Sequence, residues 1–249
     1  MIKRLSYLLL LLFFYGCNNA DGNDCFQTTG EIVQQEVEVE SFNKIVIHER
    51  VGLVIEEGPV QKVVIETGSN LISDITVEVI DNELVVRDHN ACNFFRDYGT
   101  TKVYVTSPDI NTIRNASERS VISKGILTYP SIYLRSSGEE TKYFSIGDFY
   151  LNIENENVKI WGNGIANFYL EGTSNNLDLS FSDGNTRFHG KDFIVKDIIV
   201  KQVSANDMVV YPTESLTGTI HSVGDVISYN KPPIVDIDIQ SDYGELLFK

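Results

Sequence analysis

The chain has 249 residues, with 20 Lys and Arg against 35 Asp and Glu, for a net charge of −15. That balance argues against a nucleic-acid partner, because affinity for phosphate backbones comes from lysines and arginines that displace counterions. An acidic surface suits solubility, calcium or basic ligands and does not choose among them.

Lys3 and Arg4 precede an apolar run from Leu5 to Tyr15 that closes on Gly16-Cys17. A basic start, an apolar stretch and a small residue before the cut make residues 1–16 a secretory signal. The run is shorter than the roughly 20 residues that cross a bilayer core as a helix. Phe14-Tyr15-Gly16-Cys17 resembles a lipobox, in which the cysteine is acylated, by palmitate among other chains, and becomes the new N-terminus. Two acyl chains meet the requirement for stable anchoring. The expectation is an outer-membrane lipoprotein, lipidated at Cys17 and facing the periplasm or the cell surface, with residues 17–41 as a tether. Loss of Lys3 and Arg4 with the signal leaves 18 cations against 35 carboxylates, a net −17.

Cys25 and Cys92 remain in an oxidising compartment and are expected to pair as a disulfide, with unpaired thiols as the alternative. A single Cys pair without a nearby His is a poorer metal site than either.

From Phe42 onward, β-branched and aromatic residues alternate with polar ones in short runs: Lys44 to His48, Gly52 to Glu56, Lys62 to Glu66, Ile75 to Ile80, Glu83 to Arg87 and Lys102 to Thr106. Period-two alternation over four to eight residues marks strands with one buried face. Glu57-Gly58-Pro59, Thr67 to Asn70 and Asp81-Asn82 are turn signals between them. At most one helical turn is expected, around Asn70 to Asp74, and no sustained apolar stripe at helical spacing occurs.

After Pro108 the pattern becomes more regular. Tyr133-Leu134, Tyr150-Leu151 and Tyr169-Leu170 each open a short strand followed by a polar break and a second strand. Their recurrence at ~17–20 residues is that of a β-solenoid coil. Units around Ile199 to Val210, Thr217 to Ile227 and Asp236 to Phe248 fit the same scheme, whereas Asn185 to Ile198 interrupts it. The predicted class is all-β, a right-handed parallel β-helix-like solenoid, divided near Ser107-Pro108-Asp109 into an N-terminal β lobe (42–108) and a C-terminal solenoid lobe (109–249). A β-sandwich is the alternative, since turns every 8–12 residues also fit that fold.

The pattern contains little chemistry. His48, His89, His189 and His221 fall in four separate segments with no close ligand pair, and no Ser-centred elbow or HExxH pattern occurs. No metal or other cofactor is expected. Asp178, Asp183, Asp207 and Asp225 lie near strand ends, where aspartate bonds to local backbone; an Asp pair for glycoside cleavage is the competing reading. Trp161, the sole tryptophan, is a candidate for stacking a ligand, against the commoner role of packing a core.

The segments Phe42 to Ile47, Gly68 to Ile72, Val77 to Val86 and Val103 to Ile110, with Ser222-Val-Gly-Asp-Val-Ile-Ser-Tyr229 before Pro232, resemble in order the family of putative auto-transporter adhesin head domains called the GIN domain. Asn115 to Arg119 and Ser136 to Glu139 are poorer in glycine than the family's usual turns. The resemblance covers about Phe42 to Phe248 and implies an exported β-helical domain with a role in adhesion and no catalytic residues. The resulting expectation is a membrane-anchored, non-catalytic adhesion module for protein or glycan. A polysaccharide-processing enzyme and a structural envelope protein are the alternatives.

Overall fold

The computed structural model describes residue 25 and residues 27–94, 96–136 and 145–249. Cys17 and the whole signal lie outside them. The chain is all-β, as expected. Its first strands are β1 (Ile32–Val37), β2 (Lys44–Ile47), β3 (Gly52–Glu57), β4 (Lys62–Gly68), β5 (Ile75–Ile80), β6 (Glu83–Asp88) and β7 (Lys102–Ser107). They continue with β8 (Thr112–Asn115), β9 (Val121–Leu127), β10 (Ser131–Ser136), β11 (Phe149–Gly162), β12 (Asn167–Phe181), β13 (Arg187–Gln202) and β14 (Met208–Ile220). The last are β15 (Val226–Ser228), β16 (Ile234–Ile239) and β17 (Leu246–Phe248). Among the described residues the one helical turn is a 3-10 turn at Ile72–Asp74. β1 falls inside the stretch expected as tether, so the ordered fold begins before Phe42.

All strands join one 17-stranded sheet. Antiparallel pairing is confined to β1–β4, β4–β7 and β5–β6. The β5–β6 hairpin turns on Asp81 and Asn82, both at positive φ (50° and 66°). Two such residues match a two-residue turn whose twist suits the flanking strands, and Asp and Asn tolerate that region better than most side chains. The remaining ladders are parallel, which sets aside a β-sandwich built on antiparallel hairpins. The pairing joins the strands into one continuous, nearly closed, barrel-like sheet.

The second half advances in steps of 18 to 20 residues. Phe149 pairs with Phe168, Phe168 with Phe188, Phe188 with Met208, Met208 with Val226 and Val226 with Leu246. Each long strand serves two ladders: β11 pairs with β9 through its first half and with β10 through its second. Alternate residues point inward, so Phe149, Leu151 and Ile153 and then Val158 and Ile160 are all at most 2% exposed. The inward columns form one core running from Phe42 to Val226, with no break at Pro108, and β8 and β9 lie directly on β2 and β3.

Two sequence expectations shift against this register. Tyr133-Leu134 is not the equivalent of the other Tyr-Leu pairs: Tyr133 pairs with Lys159, half a coil away, while Ile122 stands under Tyr150. A coil holds two strands with the same alternation, so composition leaves its phase undetermined. Asn185 to Ile198 likewise does not interrupt the stack. It opens β13, and the break in pattern is a bulge of Gly190 to Phe193 opposite Val210.

Candidate functional site

The two ladders present two outer faces. On the face built from the first halves of the long strands, Val54, Ile122, Tyr150, Tyr169, His189 and Val209 follow one another in register. Adjacent strands lie about 4.8 Å apart, which brings facing rings into contact. The Tyr150 and Tyr169 rings stack at 4.8 Å with 1° between planes, and Tyr169 and His189 at 4.3 Å with 3°. Burial and the nearby Arg187 hold the His189 pKa below its usual value, with Asp148 opposing. Its Nε2 has no hydrogen-bond partner among the described residues. Tyr150 donates to Asp148 Oδ2 at 3.3 Å; burial first, then Asp148, raises its pKa.

Bulges turn this face into a trough. Ser123, Lys124 and Gly125 of β9 stand opposite the single Leu151, and Gly190 to Phe193 of β13 opposite the single Val210. Extra residues arch out of a sheet because they cannot join its ladder. The two arches flank β11 and β12, three strand spacings or about 14 Å apart. Between them lies a groove of about 630 Å³, edged by Ser123, Gly125, Lys191 and Asp192. Tyr229 also lines it, with the Lys191 ammonium 5.1 Å from its ring centroid. Because the rings stack on one another, they offer edges and hydroxyls outward and keep their faces covered.

On the opposite face Arg114, Arg135, Trp161, Ser180 and Lys201 form a second column. The Arg135 guanidinium lies 5.5 Å from the centroids of both Tyr133 and Trp161. Lys159 sits 5.6 Å over Tyr133 and 3.1 Å from Asp178, whose hydrogen bond raises the lysine pKa. Trp161 is thus on an outer face, not in the core.

The aspartates weighed for cleavage are engaged locally. Asp207 Oδ1 accepts the Asp225 N–H at 3.1 Å, Asp225 Oδ1 accepts the Glu245 N–H at 2.8 Å, and Asp183 Oδ1 accepts the Gly184 N–H at 2.7 Å. These carboxylates serve turns and strand starts, and Asp178 serves Lys159 and Ser180. Among the described residues no three His, Cys, Asp or Glu side chains cluster to hold a metal. Cys25 and Cys92 form a disulfide, with Cα atoms 4.5 Å apart. In the sequence His189 stands out only as one of four scattered histidines and Ser180 not at all, because the importance of each lies in what stands one strand away.

The sequence profile described as "Putative auto-transporter adhesin, head GIN domain" matches residues 41–232. Similar solved structures include a putative adhesin from Bacteroides fragilis NCTC 9343, 18% identical with TM-score 0.78, covering 89% of this chain and 99% of that one. A putative lipid binding protein from Parabacteroides distasonis ATCC 8503 is 12% identical with TM-score 0.64, covering 88% and 98%. A putative adhesin from Parabacteroides merdae ATCC 43184 is 13% identical with TM-score 0.56, over the same shares of the two chains. At these identities the likeness is one of fold. No curated protein matches the chain. No helix among the described residues is long and apolar enough to cross a membrane.

Proposed function

We propose, from the premise that this chain belongs to the putative auto-transporter adhesin head GIN domain family, that it is a non-catalytic binding module of the cell envelope. Its lipid anchor is Cys17, held to the outer membrane through the segment that follows. Its ligand is a protein or glycan laid along the strand face that carries Tyr150, Tyr169 and His189.

The observation that supports this reading is the groove between the β9 and β13 bulges, floored by a continuous aromatic column. A wide, shallow trough with aromatic edges and a few polar groups gathers many weak contacts, as interfaces enriched in tyrosine do. Of the aspartates considered for catalysis, Asp183, Asp207 and Asp225 accept backbone N–H groups and Asp178 of β12 is engaged by Lys159 and Ser180, which favours a binding role over cleavage. The descriptions of the neighbours as adhesins agree with this reading.

Two experiments test it. Cys17→Ala is expected to move the protein from the membrane fraction to the soluble one; retention in the membrane would refute the anchor. The mature chain is expected to bind saturably to a member of a panel of matrix proteins and bacterial glycans, and Tyr150→Ser with Tyr169→Ser to weaken that binding at least tenfold. Saturable binding that survives the double substitution would remove the groove from the reading, and no binding across the panel would remove the function. An acyl-chain probe in the same panel tests the activity named for the Parabacteroides distasonis neighbour.

A further inference from the structure

The column Arg135–Trp161–Ser180–Lys201 has a gap. Register places Ser180 directly beside Trp161, and Lys201 directly beside Ser180. On the other side of Trp161, Arg135 stands 5.5 Å from the ring. One face of the indole is therefore covered by a cation, while the other looks over a serine. Two strand spacings separate Trp161 from Lys201, about 9.6 Å, with a small side chain between them. On the opposite face of the molecule the equivalent spaces are filled by the next ring of the stack. Here the space is open: a depression of about 310 Å³, lined by Trp161, Ser180, Ser182, Lys201, Lys159 and Tyr133 among its residues.

The surroundings define what would enter. The open indole face takes the apolar C–H face of a ring; Ser182 supplies a hydroxyl, and Ser180, whose O–H donates to Asp178 Oδ1 at 3.1 Å, keeps its oxygen to accept one. Lys201 is exposed and has no ion-pair partner among the described residues, while Lys159 brings a second ammonium already paired with Asp178. In a chain of net charge −15, cations gathered on one depression favour an anion there. A ring with an apolar face, hydroxyls and a carboxylate at its rim is an acidic sugar.

We propose that the notch between Trp161 and Lys201 is a binding site for a hexuronic-acid residue of an anionic polysaccharide. Its ring stacks on the free face of Trp161 over Ser180, and its carboxylate meets Lys201. This deepens the binding-module reading by naming a ligand class, at a site separate from the Tyr150–Tyr169 groove.

Trp161 is the only tryptophan, so its emission reports the site directly. The mature protein is titrated with a hexuronic-acid oligosaccharide and, in parallel, with the uncharged hexose oligosaccharide of the same linkage. The acidic oligosaccharide is expected to change Trp161 emission saturably, and at least tenfold more tightly than the neutral one. Lys201→Gln, at an exposed position, is expected to remove that preference. Ser180→Phe fills the gap with a ring and is expected to abolish the response. No saturable change with the acidic oligosaccharide, equal affinity for the two, or a folded Ser180→Phe that still binds would each overturn the proposal. Lys201→Gln decides the matter if Ser180→Phe does not fold. Failure here with binding intact at the groove, or the reverse in Tyr150→Ser with Tyr169→Ser, tells the two sites apart.

Discussion

Among individual side chains, His48 carries the clearest electrostatic consequence. It is only 5% exposed, and burial, with Arg87 and Arg114 nearby, lowers its pKa to about 4. An unfolded histidine titrates near 6.5, so between pH 6.5 and about 4 the unfolded chain binds a proton that the fold does not. Stability is therefore unaffected by this group above pH 6.5 and falls as the pH drops towards 4, by about 3 kcal/mol at most. His48→Gln keeps a neutral polar side chain and removes the titration. Urea unfolding at pH 7 and pH 4.5 should show a smaller acid loss in His48→Gln than in the parent, and equal losses would refute the assignment. Residue-level reading of the sequence reached Trp161 because a lone tryptophan in a strand pattern stands out. It could not single out His189 or Ser180. The first matters because Tyr169 is stacked on it, and the second because it is too small to cover Trp161. Both properties belong to neighbours some 20 positions away in the chain, and no local pattern encodes them.

At the scale of strands, alternation was legible and phase was not. Inward and outward positions follow directly from apolar and polar residues taken in turn, which is why the all-β class and most early strands, such as β3 and β4, could be read. Coil phase depends on which strand each one meets, and Tyr133 and Tyr150 have the same sequence context on opposite faces. The bulges that wall the groove were hidden for a related reason, since a bulge is defined only against its partner. Close strand contact does leave one local mark, in the glycines. Gly172 of β12 sits at φ +105°, and a Cβ there would stand 2.3 Å from the Ile153 carbonyl oxygen of the strand below. Non-glycine residues pay strain in that region and the clash adds to it. Gly172→Ala should therefore lower unfolding free energy by about 3 kcal/mol, measured by chemical denaturation. A loss under 1 kcal/mol would show that β11 and β12 slide apart freely at this point.

The whole molecule is asymmetric from end to end, and its stability should follow that asymmetry. At the first end, antiparallel strands β1, β4 and β7 and the β5–β6 hairpin close the stack, and the Cys25–Cys92 disulfide spans 67 residues of it. A loop of that length restricts the unfolded chain enough to stabilise by about 4 kcal/mol in the chain-entropy picture. Cys25→Ser with Cys92→Ser should lower the global unfolding free energy by an amount of that order; an unchanged midpoint would mean that the unfolded chain is already compact there. Among the described residues the other end has no antiparallel strand or disulfide of this kind. In the inward columns Leu216 and Ile220 of β14 are fully buried, yet Val235 and Ile239, their partners on β16, are 38% and 48% exposed. A terminal unit of a stacked array has one neighbour instead of two and loses the burial that the second would provide. Its amides should open at lower cost than those between two strands. Native-state hydrogen exchange is expected to run fastest in β16 and β17, slower in β14, and slowest through β11 to β13, where each strand is paired on both sides. Equal protection of β16 and β12 would require β16 to be covered in solution, because a single flanking strand cannot protect it to the same degree.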